Sequence, residues 1–303
     1  MKAQIITALI EQLGTEKVLT EAAVAERYCH IWRMDQSLNA IAVVLPRTTE
    51  ELAAIMKICH QHGQAVVVHG GLTNLVGSTE TQADELVISM EKMNQVEALD
   101  DKSRTITVQA GVILENIQNL AKEKALVFPL NFGAKGSAQI GGVISTNAGG
   151  LRVFRYGMTR NLVMGLEVVL ADGTIMSSLK KIIKDNAAYD LKQLFIGSEG
   201  TLGIISKAVL KLVEAPRSRT SAFVGLNDYE KVIALLKFMD AGLAGTLSGF
   251  ELIWHTTYSA MTSPPALAKP PLPQEFKYYV LLEALGSDQE RDQETLQNLL
   301  EQA

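Results

Sequence analysis

The stretch Pro129-Leu-Asn-Phe-Gly-Ala-Lys-Gly-Ser-Ala-Gln-Ile-Gly-Gly-Val-Ile-Ser-Thr-Asn-Ala-Gly-Gly150 alternates glycine with Ser137, Ser145, Thr146 and Asn147. A turn needs one or two glycines; this span has six. Glycine lets backbone approach other backbone or a ligand closely. A long backbone-lined trough suits a flat, polar, multi-ring ligand. Two further segments share this character. Ala65-Val-Val-Val68 reads as a short buried strand running into His69-Gly-Gly-Leu-Thr-Asn-Leu-Val-Gly-Ser78. Small residues there leave consecutive N–H groups unshielded, and such a nest binds phosphate oxygens. The loop lacks the Gly-Lys-Ser/Thr of a Walker loop and the spacing of a Rossmann fingerprint. On its own it leaves a plain tight turn open as the alternative. Ile196-Gly-Ser-Glu-Gly-Thr-Leu-Gly-Ile-Ile205 is a glycine-hinged turn entering a strand. Two phosphate-type loops and a ring-sized trough point to a dinucleotide held outside the Rossmann class.

The surroundings read as alternating helix and strand. Met1 to Gly14 carries Ile5, Ile6, Leu9, Ile10 and Leu13 at helical spacing. It lacks the features of a secretory signal and the arginines of a mitochondrial presequence, so it reads as a docking helix. Thr48 and Glu51 are spaced as a capping box, Leu52, Ile55, Met56 and Cys59 form one apolar stripe, and Gly63 ends the helix. Leu86–Ser89 is a strand, and Thr105–Gln109 alternates as a half-exposed strand. Val112–Lys124 is a helix with Ile113, Leu114, Ile117 and Leu120 on one face. Asp172-Gly173 is a hairpin turn between Leu166–Leu170 and Thr174–Met176. Leu202–Val213 is a long β-branched strand. After Pro216–Arg219 a new unit begins: strand Ala222–Gly225, helix Tyr229–Met239, strand Gly249–Ile253, a proline-rich loop Pro264–Pro273, strand Tyr278–Glu283 and a helical tail. This is half of an α+β domain, so the chain reads as ending inside its second domain.

Composition limits the function. At about 150 residues per domain, 303 residues make two domains. The net charge of −5 carries no basic surplus, which argues against nucleic acid as a partner. No apolar run is long enough for a transmembrane segment. Cys29 and Cys59 form no CxxC, so a disulfide framework and a cysteine zinc site are excluded. This is the composition of a reduced, cytoplasmic protein. His60 and His62 stand two apart on a helix and point away from each other, so they are read as structural. His30 and His255 have no ligand-spaced neighbour and read as surface or cap residues. Arg152, Arg155 and Arg160 read as salt-bridging, and Lys180–Lys184 as a solvated face.

The combination of Gly133-Ala-Lys-Gly-Ser137, Ile140-Gly-Gly142, Thr146-Asn-Ala-Gly-Gly-Leu-Arg152, Arg155-Tyr-Gly157, Leu166–Gly173 and Tyr189–Ile205 resembles the FAD-binding domain of the vanillyl-alcohol oxidase / p-cresol methylhydroxylase superfamily. Within it the likeness is greatest to the D-2-hydroxyglutarate dehydrogenase group with its D-lactate and glycolate-oxidising relatives. It runs from about Leu45 to Glu251. The resemblance implies an α+β fold with a two-subdomain FAD-binding domain over residues 1–218 (about 1–98 and 99–218). An incomplete ferredoxin-like cap, the substrate domain, follows over 219–303. His69, Gly70, Gly71, Leu72, Thr73, Asn74, Leu75, Gly77 and Ser78 would form the pyrophosphate cradle. Pro129, Asn131, Gly136, Ser137, Ile140, Gly141, Gly142, Thr146, Asn147, Gly149 and Gly150 would follow the pyrophosphate and isoalloxazine. Glu199, Gly203, Ile204 and Ile205 would approach the adenosine half or the phosphates. The implied reaction is oxidation of a D-2-hydroxy acid to the 2-oxo acid by hydride transfer to flavin N5, with electrons passed on to a carrier such as an electron-transfer flavoprotein or a quinone.

The departures from the pattern carry information. Leu72 stands where some members place a covalently linking histidine, so non-covalent FAD is expected. His69 replaces a more usual proline, glutamine or arginine; neutral, it can still donate one hydrogen bond. The family's substrate arginine, metal-binding histidines and catalytic histidine lie in the C-terminal cap, so the resemblance assigns this chain no catalytic residue and no metal ligand. The expectation is a chain that binds FAD without turning over substrate. The alternative is an FAD-carrying subunit of a multi-chain complex without catalysis of its own; homodimer and partner subunit both remain open. A remnant with a decayed site is opposed by the intact glycine segments. An NADPH-dependent enolpyruvyl reductase of the same superfamily fits Thr146–Arg152 and Tyr189–Ile205 poorly.

Overall fold

The computed structural model describes residues 2–266 and 268–303. Two compact units divide them: residues up to 128, 132–148 and 159–213 form unit 1, and residues 129–131, 149–158 and 214–303 form unit 2.

Unit 1 holds a four-stranded and a five-stranded sheet. The first follows α1 (Lys2–Leu13), β1 (Val18–Leu19), α2 (Ala22–Ala25), β2 (Ala42–Val44), α3 (Thr49–His62), β3 (Val66–His69) and β4 (Leu86–Ser89). Its strand order is β1-β2-β4-β3; β2, β4 and β3 run parallel, and β1 is antiparallel. α3 shows why the sequence signals work. Thr48 Oγ1 accepts from the Glu51 N–H at 3.2 Å, and Gly63 ends the helix in the left-handed region at φ 61°. Glu51 reaches one residue further back than a capping box requires, taking the Arg47 N–H at 2.8 Å and the Lys17 ammonium at 2.5 Å. All four residues of the α3 stripe are buried. β3 is less buried than its Val-Val-Val run suggests, because it is the sheet's edge strand.

The second sheet follows β5 (Val96–Asp100), β6 (Thr105–Gln109), α4 (Leu114–Glu123), β7 (Leu126–Val127), α5 (Ile140–Ser145), α6 (Val153–Tyr156, within unit 2), α7 (Thr159–Leu162), β8 (Val163–Val169), β9 (Ile175–Ser178), α8 (Lys192–Phe195), β10 (Ile204–Lys211) and the short β11 (Val213–Glu214). The order β5-β6-β10-β8-β9 is antiparallel throughout. β6 is buried along its whole length, not half-exposed, because it lies inside the sheet with both faces covered. The Asp172-Gly173 hairpin forms as read, with Gly173 at φ 87° and Asp172 accepting from the Thr174 N–H at 2.9 Å.

Unit 2 is built on a three-stranded antiparallel sheet, β12 (Ser218–Leu226), β14 (Tyr278–Gly286) and β13 (Leu247–Trp254), with β14 central. α9 (Tyr229–Leu243) and α11 (Gln289–Gln302) cover one face through Val232, Leu235, Met239, Leu243 and Leu296 against Val280 and Leu282. α10 (His255–Thr262) was not legible from its polar sequence. It forms because Tyr258 stacks on Tyr279 with ring centroids 3.8 Å apart and donates its hydroxyl to the Leu272 carbonyl at 2.7 Å. That bond, with Tyr279 Oη donating to Pro273 O at 2.7 Å, holds the end of the proline-rich stretch at Leu272 and Pro273.

One buried charge organises unit 2. Glu283, only 1% exposed, meets Arg152 at 3.0 Å, Arg219 at 2.8 Å and the Ser248 hydroxyl at 2.8 Å. Burial pushes its carboxyl up, but the hydrogen bonds from Arg152 and Ser248 and the charges of both arginines outweigh burial. They hold it below the usual carboxylate range. Arg155 donates to the Leu285 carbonyl, and Phe154 lies 6.3 Å from Phe250, so residues 149–158 are anchored along this sheet. Glu283→Ala leaves Arg152 without its buried partner and lowers unfolding free energy by about 3–5 kcal/mol in urea titration. A loss within 1 kcal/mol contradicts the assignment. Because the folded pKa is depressed, this stabilisation is complete above the ordinary glutamate value of 4.5 and is lost as pH falls through the folded value.

Candidate functional site

The chain leaves the carboxyl end of β3 in the loop at residues 70–78, the end at which open α/β sheets place ligands. Among the described residues, the backbone N–H groups of Gly71 through Leu75 donate to no protein acceptor. Leu72 has φ 54° and Gly77 φ 77°, left-handed backbone of the kind from which anion-binding nests are built. The loop's side chains hold this shape. Asn74 donates to Thr79 Oγ1 at 3.1 Å and accepts from the Val76 N–H at 3.2 Å. Thr79 donates to the Cys29 carbonyl at 2.7 Å, and Leu72 O accepts from the Ile31 N–H at 3.2 Å. Asn74 is therefore a loop-shaping residue in its side chain. Leu75 and Val76 are 79% and 76% exposed.

His69 closes the base of the loop. It is 4% exposed and hydrogen-bonds through Nε2 to the Thr79 carbonyl at 2.9 Å. Burial pushes its pKa down to about 4, partly opposed by the Thr79 hydrogen bond and helped by the Arg27 charge. At neutral pH the ring is uncharged, so Nε2–H is the donor and Nδ1 is an acceptor.

α5 and its flanks face this loop. A Cβ on Gly71 would overlap the Ser137 carbonyl oxygen and stand 2.9 Å from Ala138 Cα. A Cβ on Gly70 would stand 3.9 Å from Gly142 Cα and 3.8 Å from Gln139 Oε1. That oxygen is buried and has no hydrogen-bond partner. Gly136, Ser137, Gly142 and Thr146 are exposed, and the Thr146 hydroxyl donates to Gly142 O at 2.9 Å. Ile140 and Gly141 face the other way: Ile140 is buried, and Gly141 backs onto Ala110.

The turn after Ile196 clamps onto the end of α5. Gly197 N donates to Ile144 O at 3.2 Å and Glu199 N to Ser145 O at 3.0 Å. Asn147 accepts from the Arg160 N–H at 2.9 Å, and the Arg160 guanidinium donates to Gln193 O at 3.1 Å and Ile196 O at 2.7 Å. Arg160 is thus bound to carbonyls, not to the carboxylate that the sequence suggested. Leu72, Asn147 and Glu199, one in each converging segment, all have positive φ (54°, 46° and 51°). Backbone strain of this kind concentrates at binding sites.

Gly203, Ile204 and Ile205 are buried where β10 meets β8, and Gly203 lies against Val168 and Val169. Pro129, Asn131, Gly149 and Gly150 belong to unit 2, where Leu151 N donates to Asn131 O at 2.9 Å. Among the described residues no three His, Cys, Asp or Glu side chains form a metal-holding group, and no helix is long and apolar enough to cross a membrane.

A family profile described as "FAD binding domain" matches residues 40–178. The mitochondrial D-2-hydroxyglutarate dehydrogenase of Bos taurus is 40% identical over 295 residues, which cover 97% of this chain and 54% of the relative. That of Danio rerio is 41% identical, covering 89% of this chain and 50% of the relative. The chain spans about half the length of these curated relatives. The solved structure of p-cresol methylhydroxylase with substrate bound superposes at a TM-score of 0.76 and 16% identity, covering 99% of this chain and 64% of that one. It bears out the α+β, p-cresol methylhydroxylase-type fold. The relatives' names also overturn the expectation of a cytoplasmic protein, since they point to mitochondria. Sparse, unpaired cysteines mark a reducing compartment without saying which one. The residues present fit FAD: a row of undonated N–H groups suits a diphosphate, and the Gly71 backbone that opens this row packs on Ser137 and Ala138 with no room for a side chain.

Proposed function

The chain belongs to the family of FAD-binding domains with the p-cresol methylhydroxylase fold, and on that premise we propose that it holds FAD without a covalent bond and serves the oxidation of a D-2-hydroxy acid. The single observation that carries this reading is the run of undonated N–H groups from Gly71 to Leu75, which begins where Gly71 packs on the Ser137–Ala138 backbone. These amides stabilise a diphosphate with fixed dipoles and need no cation. Gly136, Ser137, Gly142 and Thr146 offer exposed backbone and hydroxyl groups to the rest of the cofactor. The turn through Glu199 braces α5 from behind. Asn147 and Gly141 act as supports. The apolar side chain of Leu72 offers no atom that could bond to a flavin, which supports the non-covalent reading. In this reading residues 1–218 are the cofactor domain and residues 219–303 belong to the substrate side. FAD, when bound, supplies the two-electron acceptor for the substrate's Cα hydride.

Anaerobic addition of D-2-hydroxyglutarate, D-lactate or glycolate to the FAD-loaded protein tests the substrate class. A shift of the bound flavin's visible absorption by D-2-hydroxyglutarate or D-lactate and not by the L-enantiomer, without bleaching, is the expected result for a chain that binds FAD and does not turn over substrate. No shift, an equal shift by both hands, or rapid bleaching contradicts it.

A further inference from the structure

β2, β4 and β3 run parallel, so their carboxyl ends lie along one edge of the four-stranded sheet. The loop of undonated amides leaves β3 at that edge, and α3 starts there after β2. All three strand ends are joined to the part of unit 1 built on the five-stranded sheet. The end of β3 is joined where Gly71 packs on Ser137 and Ala138. The end of β4 is joined through Met93, whose carbonyl accepts from the Gly111 N–H at 2.8 Å, and a Cβ on Gly111 would overlap the Met90 carbonyl oxygen. The end of β2 is joined twice. Gln109 Nε2 donates to Arg47 O at 3.1 Å, and the Thr49 hydroxyl donates to Glu167 Oε1 at 2.6 Å.

The Thr49–Glu167 bond differs from the others in kind. They are backbone packing or bonds to backbone carbonyls; this one joins two buried side chains 118 positions apart. Glu167 lies on β8, where the Ser206 hydroxyl of β10 donates to the same carboxylate oxygen at 3.1 Å and the Lys207 ammonium stands 3.6 Å away. Burial pushes the Glu167 carboxyl up, but the Thr49 hydrogen bond, the Lys207 charge and the hydrogen bonds from Ser177 and Ser206 outweigh burial and hold it below the usual carboxylate range. It is therefore an ionised acceptor anchored in the five-stranded sheet, and Thr49 is what it grips of the other sheet. Hydrogen bonds to an ionised group are shorter and stronger than neutral ones, so this bond sets the place of the amino end of α3 closely. The hairpin turn backs onto the next turn of α3, where a Cβ on Gly173 would stand 2.6 Å from Ala53 O. Neither Thr49 nor Glu167 was among the residues the sequence pattern marked, because each is defined by a partner far along the chain.

We infer that Glu167 is a positioning residue for the cofactor: through Thr49 it fixes the edge of the four-stranded sheet, and with it the Gly71–Leu75 amides, against the segment that carries Gly136 to Thr146. This rests on the FAD reading of the site. A ligand that spans both segments binds tightly only when they are held in one setting beforehand, and a buried, directed hydrogen bond at their common edge supplies that setting.

The test compares Thr49→Val, which keeps the side chain's shape and removes the donor, with Thr49→Ser, which keeps the donor. Thr49→Ala takes the place of the valine variant if that does not fold. FAD affinity is read by flavin fluorescence quenching, the setting of the bound flavin by its visible circular dichroism at saturating FAD, and apoprotein stability by thermal melting. The expected result is an FAD dissociation constant raised about tenfold in Thr49→Val with an altered dichroism, and both restored to within about twofold in Thr49→Ser. A merely structural bond lowers the melting temperature of Thr49→Val and leaves its FAD affinity and dichroism those of the unaltered protein, and that result overturns the inference alone. An equal loss of affinity in Thr49→Val and Thr49→Ser overturns it too. An unaltered protein that takes up no FAD overturns the reading beneath it as well.

Discussion

Gly71→Ala abolishes FAD binding at concentrations that saturate the unaltered protein, a loss of about 100-fold or more in affinity. The added methyl would overlap the Ser137 carbonyl oxygen and stand 2.9 Å from both Ala138 Cα and Ser137 C. These are backbone atoms, so no rotamer change relieves the clash. Nor can residues 137–138 retreat cheaply. Ser137 N and Ala138 N both donate to Ala134 O, at 3.0 and 2.9 Å, and Ala138 O accepts from Leu114 N at 2.9 Å. The loop that carries the undonated amides therefore has to move. Gly63→Ala is the matching control. Its Cβ meets nothing within 4 Å, and only the left-handed φ of 61° opposes it. It lowers stability by about 1–2 kcal/mol and leaves FAD affinity unchanged. Equal FAD affinity for Gly71→Ala and the unaltered chain, measured by equilibrium titration, contradicts the assigned cradle.

The second large effect is a loss of stability in mild acid that depends on one ring. His69 titrates at about 4 in the folded chain against 6.5 ordinarily. Above 6.5 the ring is neutral in both states and costs nothing. Between 6.5 and about 4 the unfolded chain binds the proton and the folded chain does not. Stability then falls with pH by about 1.4 kcal/mol per pH unit, to a total of about 3 kcal/mol. His69→Gln can keep a donor towards the Thr79 carbonyl and carries no titrating group. Urea unfolding at a series of pH values shows this slope in the unaltered protein and its loss in the variant. Identical slopes contradict the buried neutral histidine. The Glu283 contribution falls below pH 4.5, so most of the histidine window lies clear of it.

Where the sequence was readable, the signal was local. Thr48 and Gly63 bound α3 because a cap and a left-handed terminus are each decided within a few residues. The Asp172-Gly173 turn and the loop after His69 are of the same kind. What was missed depends on partners far along the chain. β6 alternates as an exposed strand does, yet it is buried because β5 and β10 flank it and both its faces are covered. α10 has a weak pattern of its own and is held by Tyr279 and Leu272. Within the site, glycine marks close approach but not its direction. Gly141 and Gly142 are adjacent and look alike, yet one packs on Ala110 and the other is exposed near Gly70. Ile204 and Ile205 follow a glycine motif, but their β-branched run already indicated a buried strand.

The central claim is that FAD sits, unlinked, against the amides of Gly71 to Leu75. The visible spectrum of the purified protein, taken before and after denaturation and filtration, tests it most directly. The account predicts a yellow protein, or a colourless one that turns yellow with added FAD, and complete release of FAD into the filtrate. A protein that takes up no FAD, or flavin that stays with the denatured chain, would contradict it.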